Sequence, residues 1–325
     1  MNRSVERARL SASGVAPGEV VVATGFAHPR RGWAECRAAP LLAAGLRQAD
    51  RRVRRGTVRV GTGDAVLFAT TWLGQDGVSG LGVAAHEDDE SGLDAAEQLV
   101  ETWSAVLRTR RVLIAATTPE DSPLATALVR VREFAARGDT VILIGRRAAP
   151  LTGVATVLVS RVEDVATVDG VDPERLSFVV LPGIPVEDAA VILAALRRRF
   201  PRLRGQHPDE FCYAASDRRE ALRSVASASD LLLVCGWTED VPHTHGQVRE
   251  LSDVGRLRAH WLVQAATVGI APGDPALVDE VIEVLRGLGP LSVVRRRVTT
   301  EVTHRREAVT RLRAHSSNAR ATGTR

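Results

Sequence analysis

Short apolar runs alternate with amphipathic stretches along almost the whole chain, and this alternation restricts the fold more than any other feature. Glu19–Thr24, Ala65–Thr71, Arg111–Ala116, Thr140–Gly145, Ala155–Val159, Leu176–Leu181 and Leu231–Gly236 are short and bounded by turn residues, the pattern of buried strands. Ala259–Val263 and Val268–Ala271 read as two more. Between them lie helical patterns over Pro40–Gln48, Leu93–Leu107, Ser122–Arg137, Glu187–Arg199, Arg218–Ala228, Gln247–Val254 and Pro275–Leu288. In the second of these, Leu93, Ala96, Val100, Trp103 and Leu107 share one face. Strands that alternate with helices imply parallel sheets joined by crossover helices, because a parallel pair cannot be closed by a tight turn. The expected class is therefore α/β, with mainly parallel sheets in three similar units: 18–109, 110–200 and 201–290. Residues 1–17 read as a loose lead-in and 291–325 as a basic, partly disordered tail. Ligands of such sheets bind outside the carboxyl ends of the strands. The loops after Thr24, Thr71, Ala116, Gly145, Leu181, Gly236 and Ala271 are thus the expected site walls.

Composition narrows the function classes. The chain has 325 residues, of which 45% are hydrophobic, enough for a sizeable core. No apolar run reaches the roughly 18–20 residues of a membrane span. The N-terminal segment lacks the apolar stretch of a secretory signal, so a cytoplasmic location without membrane contact is expected. Cys36, Cys212 and Cys235 are an odd, low number, which argues against a disulfide framework. All basic side chains are Arg. From Arg295 to Arg325 there are 9 Arg against Glu301 and Glu307, 9 − 2 = +7, so the formal +4 leaves 4 − 7 = −3 for the rest. The high pI is therefore ascribed to a solubilising tail rather than to a basic binding face, and nucleic acid is not the expected partner.

Phe211-Cys212-Tyr213-Ala214-Ala215-Ser216-Asp217-Arg218-Arg219-Glu220-Ala221 is the most informative stretch for chemistry. A cysteine just ahead of a helix start is a favoured place for a thiolate, next to unpaired N–H groups and the positive end of the helix dipole. The stretch resembles the third cluster-cysteine motif, Cys-Tyr-Ala-Thr-x-x-Arg-Gln-x-Ala, of the LytB-type 4-hydroxy-3-methylbut-2-enyl diphosphate reductase family. The similarity is strongest over residues 137–236, where segment lengths suit the family without gaps. It implies three similar α/β units around a central cavity. It also implies a [4Fe–4S] cluster on three cysteines, one per unit, and reductive dehydroxylation of an allylic diphosphate.

Position by position, the match is uneven. Cys212 aligns with the third cysteine and is the candidate metal ligand. The family's Asp-Ala-Thr-Cys-Pro is similar to Ala115-Ala116-Thr117-Thr118-Pro119, with Thr118 where a thiolate is expected. A hydroxyl is a hard donor, ill suited to a cluster iron. Pro-Arg-Gly-Phe-Cys-Ala-Gly is similar to Pro29-Arg30-Arg31-Gly32-Trp33-Ala34-Glu35-Cys36, with Ala34 in the cysteine's place and Cys36 two residues on as a weaker candidate ligand. The family's Gly-His loop corresponds to Gly145-Arg146-Arg147, its Thr-Gln-Thr-Thr to Val180-Leu181-Pro182-Gly183, and its Ala-Gly-Ala-Ser-x-Pro to Ala271-Pro272-Gly273-Asp274-Pro275. The residues thus predict a divergent homologue unable to hold the usual [4Fe–4S] cluster. The alternatives are a cluster-free enzyme with a repurposed pocket, or a non-catalytic binding or scaffold protein with a protein partner. A repurposed pocket would bind a small anionic metabolite through Arg146, Arg147, Thr117 and Thr118, with Glu239 and Asp240 as candidate acid–base groups.

Two further features have two readings each. His243 and His245 would form a zinc site with Cys235 or Asp240, or remain unliganded in a polar loop. Gly74–Gly82 would approach a phosphate through backbone N–H groups, or form a flexible loop. His86, in an acidic segment, reads as part of a solvated turn, and Cys235 as a packed strand residue.

Overall fold

The computed structural model describes residues 5–48, 51–74, 77–116, 123–146, 153–238, 241 and 246–301. The chain forms two compact units, one within residues 1–118 and 218–298, the other within 119–217 and 299–325. These bounds differ from the expected three consecutive segments, and each unit is built from two separate stretches of the chain.

The first unit begins with a closed barrel. Its strands are β1 (Glu6–Ser13), β2 (Glu19–His28), β3 (Gly32–Glu35), β4 (Arg52–Val60), β5 (Ala65–Leu73) and β6 (Val78–His86), with α1 (Ala39–Gln48) between β3 and β4. Around the barrel the order is β1-β4-β2-β3-β6-β5, and most neighbouring pairs are antiparallel. The stretch expected as the first α/β unit, 18–109, is thus mostly barrel, and the expected lead-in supplies β1. The sequence hides this because a small barrel has a narrow interior that only small residues and a few large ones can fill. Phe26 and Leu67 fill it beside Ala12, Ala23, Ala34 and Ala84. A Cβ on Gly80 would stand 3.2 Å from the Phe26 ring, and one on Gly82 would stand 3.1 Å from both Phe26 and Ala23. Gly80 and Gly82, two of the glycines that read as a phosphate-approaching or flexible loop, therefore sit in β6, where a side chain would crowd Phe26. His86 closes that strand and is 7% exposed rather than solvated, with Nε2 3.4 Å from Asp64.

The rest of the first unit is a five-stranded, wholly parallel sheet, in the order β13-β12-β14-β7-β15. These strands are β7 (Arg110–Ala115), β12 (Leu231–Cys235), β13 (Gln247–Leu251), β14 (Thr267–Pro272) and β15 (Leu291–Arg296). Its helices are α2 (Glu90–Ser104), α6 (Ala259–Leu262), α7 (Pro275–Arg286) and most of α5 (Ala214–Ser227). One apolar cluster joins the barrel's outer face (Val20, Val83), α1 (Leu42), α2 (Val100, Trp103), the sheet (Val112, Ile270) and α7 (Val281, Leu285). Arg110 is 2% exposed at its edge. Its guanidinium donates to the carbonyls of Val106 (2.5 Å), Leu262 (3.2 Å) and Leu288 (3.2 Å), each at or just beyond the C-terminal end of α2, α6 or α7. Burial first, and then Arg108, pull its pKa down to about 10.

Three readings change here. Gln247–Leu251 is an edge strand, not a helix; Val248, Leu251 and Val254 mimic helical spacing, but the backbone pairs with β12. Ala259–Leu262 is a helical turn, not a strand, and it directs the Leu262 carbonyl at Arg110. Leu291–Arg296, expected in the tail, pairs along β7, with Leu291 and Val293 packed on the core. Residues 302–325 lie outside the described residues.

The second unit holds a four-stranded parallel sheet in the order β11-β10-β8-β9. Its strands are β8 (Thr140–Ile144), β9 (Thr156–Val159), β10 (Leu176–Val180) and β11 (Arg204–Gly205), with helices α3 (Pro123–Ala136) and α4 (Val186–Arg199). β10 is buried along its full length, with Phe178 and Leu176 in one cluster and Val179 in the other. Both open sheets are all-parallel with crossover helices, as the alternation of apolar runs requires.

Candidate functional site

In each unit the candidate site is the rim at the carboxyl ends of the strands, and each rim is built by close backbone approaches. In the first unit β12 ends at Cys235 and Gly236. A Cβ on Gly236 would lie 3.0 Å from that of Asp274, and one on Gly273 would lie 2.2 Å from the Trp237 carbonyl oxygen. The N–H groups of Gly273 and Asp274 both donate to the Cys235 carbonyl at 2.8 Å. The loops after β12 and β14 are therefore locked together. Beside them a cavity of about 530 Å³ opens at the ends of β12 and β13, lined by Gly236, Trp237, Thr238, Glu250, Ser252 and Arg256 among others. Trp237 is 78% exposed. Arg256 stands 3.6 Å from Asp253, so the cation near this cavity already faces a carboxylate. The loop after Gly236, one of the expected site walls, supplies Trp237 and Thr238 to this cavity; Glu250, Ser252 and Arg256, from β13 and the segment after it, are lining residues that sequence reasoning does not single out.

In the second unit β8 ends at Ile144, followed by Gly145 and Arg146. A Cβ on Gly145 would meet that of Leu181 at 2.9 Å, which holds the two strand-end loops together. Arg146 Nη2 lies 4.0 Å from Asp188 on α4. Ser216 Oγ accepts from the Val186 N–H at 2.9 Å and donates to Glu187 at 2.6 Å, tying the start of α5 to the start of α4.

Helix N-termini at such rims attract anions. Here each brings its own carboxylate. Asp274 caps α7, accepting from Ala276 N–H at 2.9 Å and Leu277 N–H at 3.4 Å. Glu187 and Asp188 occupy the first turn of α4. Asp217, in the first turn of α5 and 7% exposed, accepts from the backbone N–H and hydroxyl of Thr300 at 3.1 and 2.6 Å.

The three cysteines have unlike surroundings. Cys36 is 4% exposed inside the barrel with Phe26, Ala34 and Leu67, and its N–H donates to the Thr24 carbonyl. Burial, with a smaller push from Glu35, raises its thiol to about 12. Cys235 is fully buried in the core of the first unit, and burial followed by Asp274 raises it to about 12 as well. Cys212 is half-buried, two residues ahead of α5. Among the described residues no three His, Cys, Asp or Glu side chains come together as a metal site. Thr117, Thr118, Arg147, Glu239, Asp240, His243 and His245 lie outside the described residues. No described helix is long and apolar enough to cross a membrane.

Comparison with known proteins gives this geometry a family. Residues 105–286, more than half of the chain, match the family described as LytB protein. The barrel, with the 29–36 stretch, lies outside that match. The chain is 35% identical over 188 residues to 4-hydroxy-3-methylbut-2-enyl diphosphate reductase 2 of Mycobacterium bovis, covering 52% of this chain and 57% of the relative. It is 31% identical over 188 residues to the corresponding reductase of Acidithiobacillus ferrooxidans, covering 51% and 60%. It therefore spans well under two thirds of these relatives' length. Among solved structures, the E-1-hydroxy-2-methyl-but-2-enyl-4-diphosphate reductase of Plasmodium falciparum aligns with a TM-score of 0.43 at 17% identity, over 66% of this chain and 80% of that one. The matched stretch runs from the C-terminal end of α2 to the last turn of α7, through both parallel sheets, and on it the chain belongs to the LytB protein family.

Proposed function

We propose that this chain is a cluster-free member of the LytB family, descended from isoprenoid-precursor reductases but working without their iron–sulfur redox step. The observation that carries this reading is the state of its sulfur. A [4Fe–4S] cluster is held by thiolates. The sequence has only three cysteines, and two of them are thiols sealed in apolar cores and raised to about 12. Cys212 is then the one remaining sulfur donor, and the donor set does not fit the cluster. The carboxylates at the starts of α4 and α7 support the same reading, because a diphosphate approaching those N–H groups would meet Asp188 or Asp274. At close range each such like-charge contact costs on the order of 1 kcal/mol or more.

The function this geometry favours is non-redox binding of a small polar molecule at a strand-end rim, with the cavity beside Trp237 as the leading position. Arg146 and Arg147 and, separately, Thr117 and Thr118 remain proposed ligand contacts. Glu239 and Asp240 remain the proposed acid–base groups.

The test is anaerobic purification followed by reconstitution with iron and sulfide. The expected product is colourless, with substoichiometric iron and acid-labile sulfide. A stable brown protein absorbing near 400 nm, with a full [4Fe–4S] complement per chain, would overturn the proposal.

A further inference from the structure

The barrel's outer face carries a feature that neither the family match nor the strand-end rims explain. Residues 5–64 contain 11 Arg against 5 Asp and Glu, 11 − 5 = +6, so the positive charge is not confined to the C-terminal tail. Much of it lies on β4, whose exposed residues include Arg52, Arg54, Arg55 and Arg59. Val58, between the last two, points into the barrel core, so Arg55, Thr57 and Arg59 share the outward face. Across the sheet Thr57 pairs with Gly25 of β2. Gly25 pairs in turn with Glu35 of β3, and next to that pair Ala27 faces Trp33.

Trp33 lies on this face in an unusual way. A Cβ on Gly25 would be 2.4 Å from the indole Cζ2 and 3.0 to 3.1 Å from two further ring atoms, so the ring rests directly on the glycine backbone. It is nevertheless 57% exposed. An aromatic ring seated on a glycine, in the middle of a rigid sheet, with its other side in solvent, is a ready stacking surface. The carboxylate on this face, Glu35, is already engaged with Arg37 at 3.0 Å. Among the described residues Arg55 and Arg59 face no carboxylate within ion-pair distance.

We propose that the β2-β3-β4 face of the barrel binds single-stranded nucleic acid, with Trp33 stacking on a base and Arg55 and Arg59 contacting phosphates. Flat aromatic platforms flanked by cations bind single strands without sequence preference, because every base has a π-face and every linkage a charge. An acidic peptide would satisfy the arginines but leaves the exposed ring without a partner. A lipid surface calls for several apolar side chains to insert, whereas Trp33 is a single ring packed against Gly25.

The experiment titrates fluorescein-labelled oligo(dT) and oligo(U) into the full chain, following anisotropy and tryptophan quenching across a salt series. Binding is expected at low salt and to weaken as salt rises. Trp33→Ala should weaken it roughly tenfold, while Trp33→Phe keeps most of it. Arg55→Gln with Arg59→Gln should reduce the salt slope by about 0.7 for each phosphate that is no longer neutralised. Thermal melts establish that each variant is folded. Absence of binding to either oligonucleotide at low salt would overturn the proposal. So would binding that all these variants leave unchanged, which would assign it elsewhere, the C-terminal arginines included. Binding to phosphatidylserine vesicles but not to oligonucleotides would overturn it equally.

Discussion

Thiol reactivity is the most direct probe of how this chain's cysteines are held. The perturbation is native alkylation with iodoacetamide at pH 8. Cys36 and Cys235 are raised from an ordinary 9.0 to about 12, and 12 − 9.0 = 3. Thiolate, the reactive form, is therefore about a thousandfold scarcer at pH 8 than in an unburied cysteine. Their exposures of 4% and 0% add a steric barrier that requires local opening before reagent can enter. Half-buried Cys212 is expected to label first, with Cys36 and Cys235 at least about a thousandfold slower. All three should label rapidly in urea. The assay is quenched labelling, digestion and peptide mass spectrometry, with circular dichroism to establish that the protein is folded. Labelling of Cys36 or Cys235 within tenfold of Cys212 in the folded protein would refute this account. It would mean that thiolate forms readily at those positions, and the sulfur-based case against a cluster would fall with it.

Two further outcomes follow from the same interior. Stability should decline as pH rises from 9 to 10: the unfolded chain releases its thiol protons while folded Cys36 and Cys235 keep them, so the native state binds more protons and loses stability with pH, by at most about 1.4 kcal/mol per pH unit per thiol. Urea melts across this range check the sign, and a flat profile between pH 9 and 10 would contradict it. Arg110→Met removes three hydrogen bonds to carbonyls worth roughly 1.5–3 kcal/mol each, partly offset by relief of the guanidinium's burial. The expected net loss is about 3–5 kcal/mol. A variant within about 1 kcal/mol of the parent in urea unfolding would show that the α2, α6 and α7 ends do not depend on that side chain.

How legible the chain is depends on how local the governing physics is. The buried parallel strands are readable because a strand covered on both faces must be apolar along its length, as Leu176–Val180 and Leu231–Cys235 are. The helices are readable from one-sided spacing, with α2 and α7 matching within a few residues. The Cys212 stretch points to the right family because the chemistry of a thiol at a helix start is written in consecutive residues. The barrel is not legible. Gly80 and Gly82 are dictated by Phe26, and Gly25 by Trp33, and these partners lie on other strands. Gln247–Leu251 reads wrongly because its spacing fits a helix, whereas pairing with β12 is a long-range fact. Cys235 reads correctly as a packed strand residue because it ends an apolar run, whereas the burial of Cys36 is hidden, since it depends on barrel residues that lie on other strands. The sequence by itself determined the parallel α/β class and the family, because both rest on contiguous patterns. The closed barrel, the assembly of each unit from two separate stretches of chain and the burial of Cys36 were decided only by tertiary structure, because each depends on contacts between residues far apart in the chain.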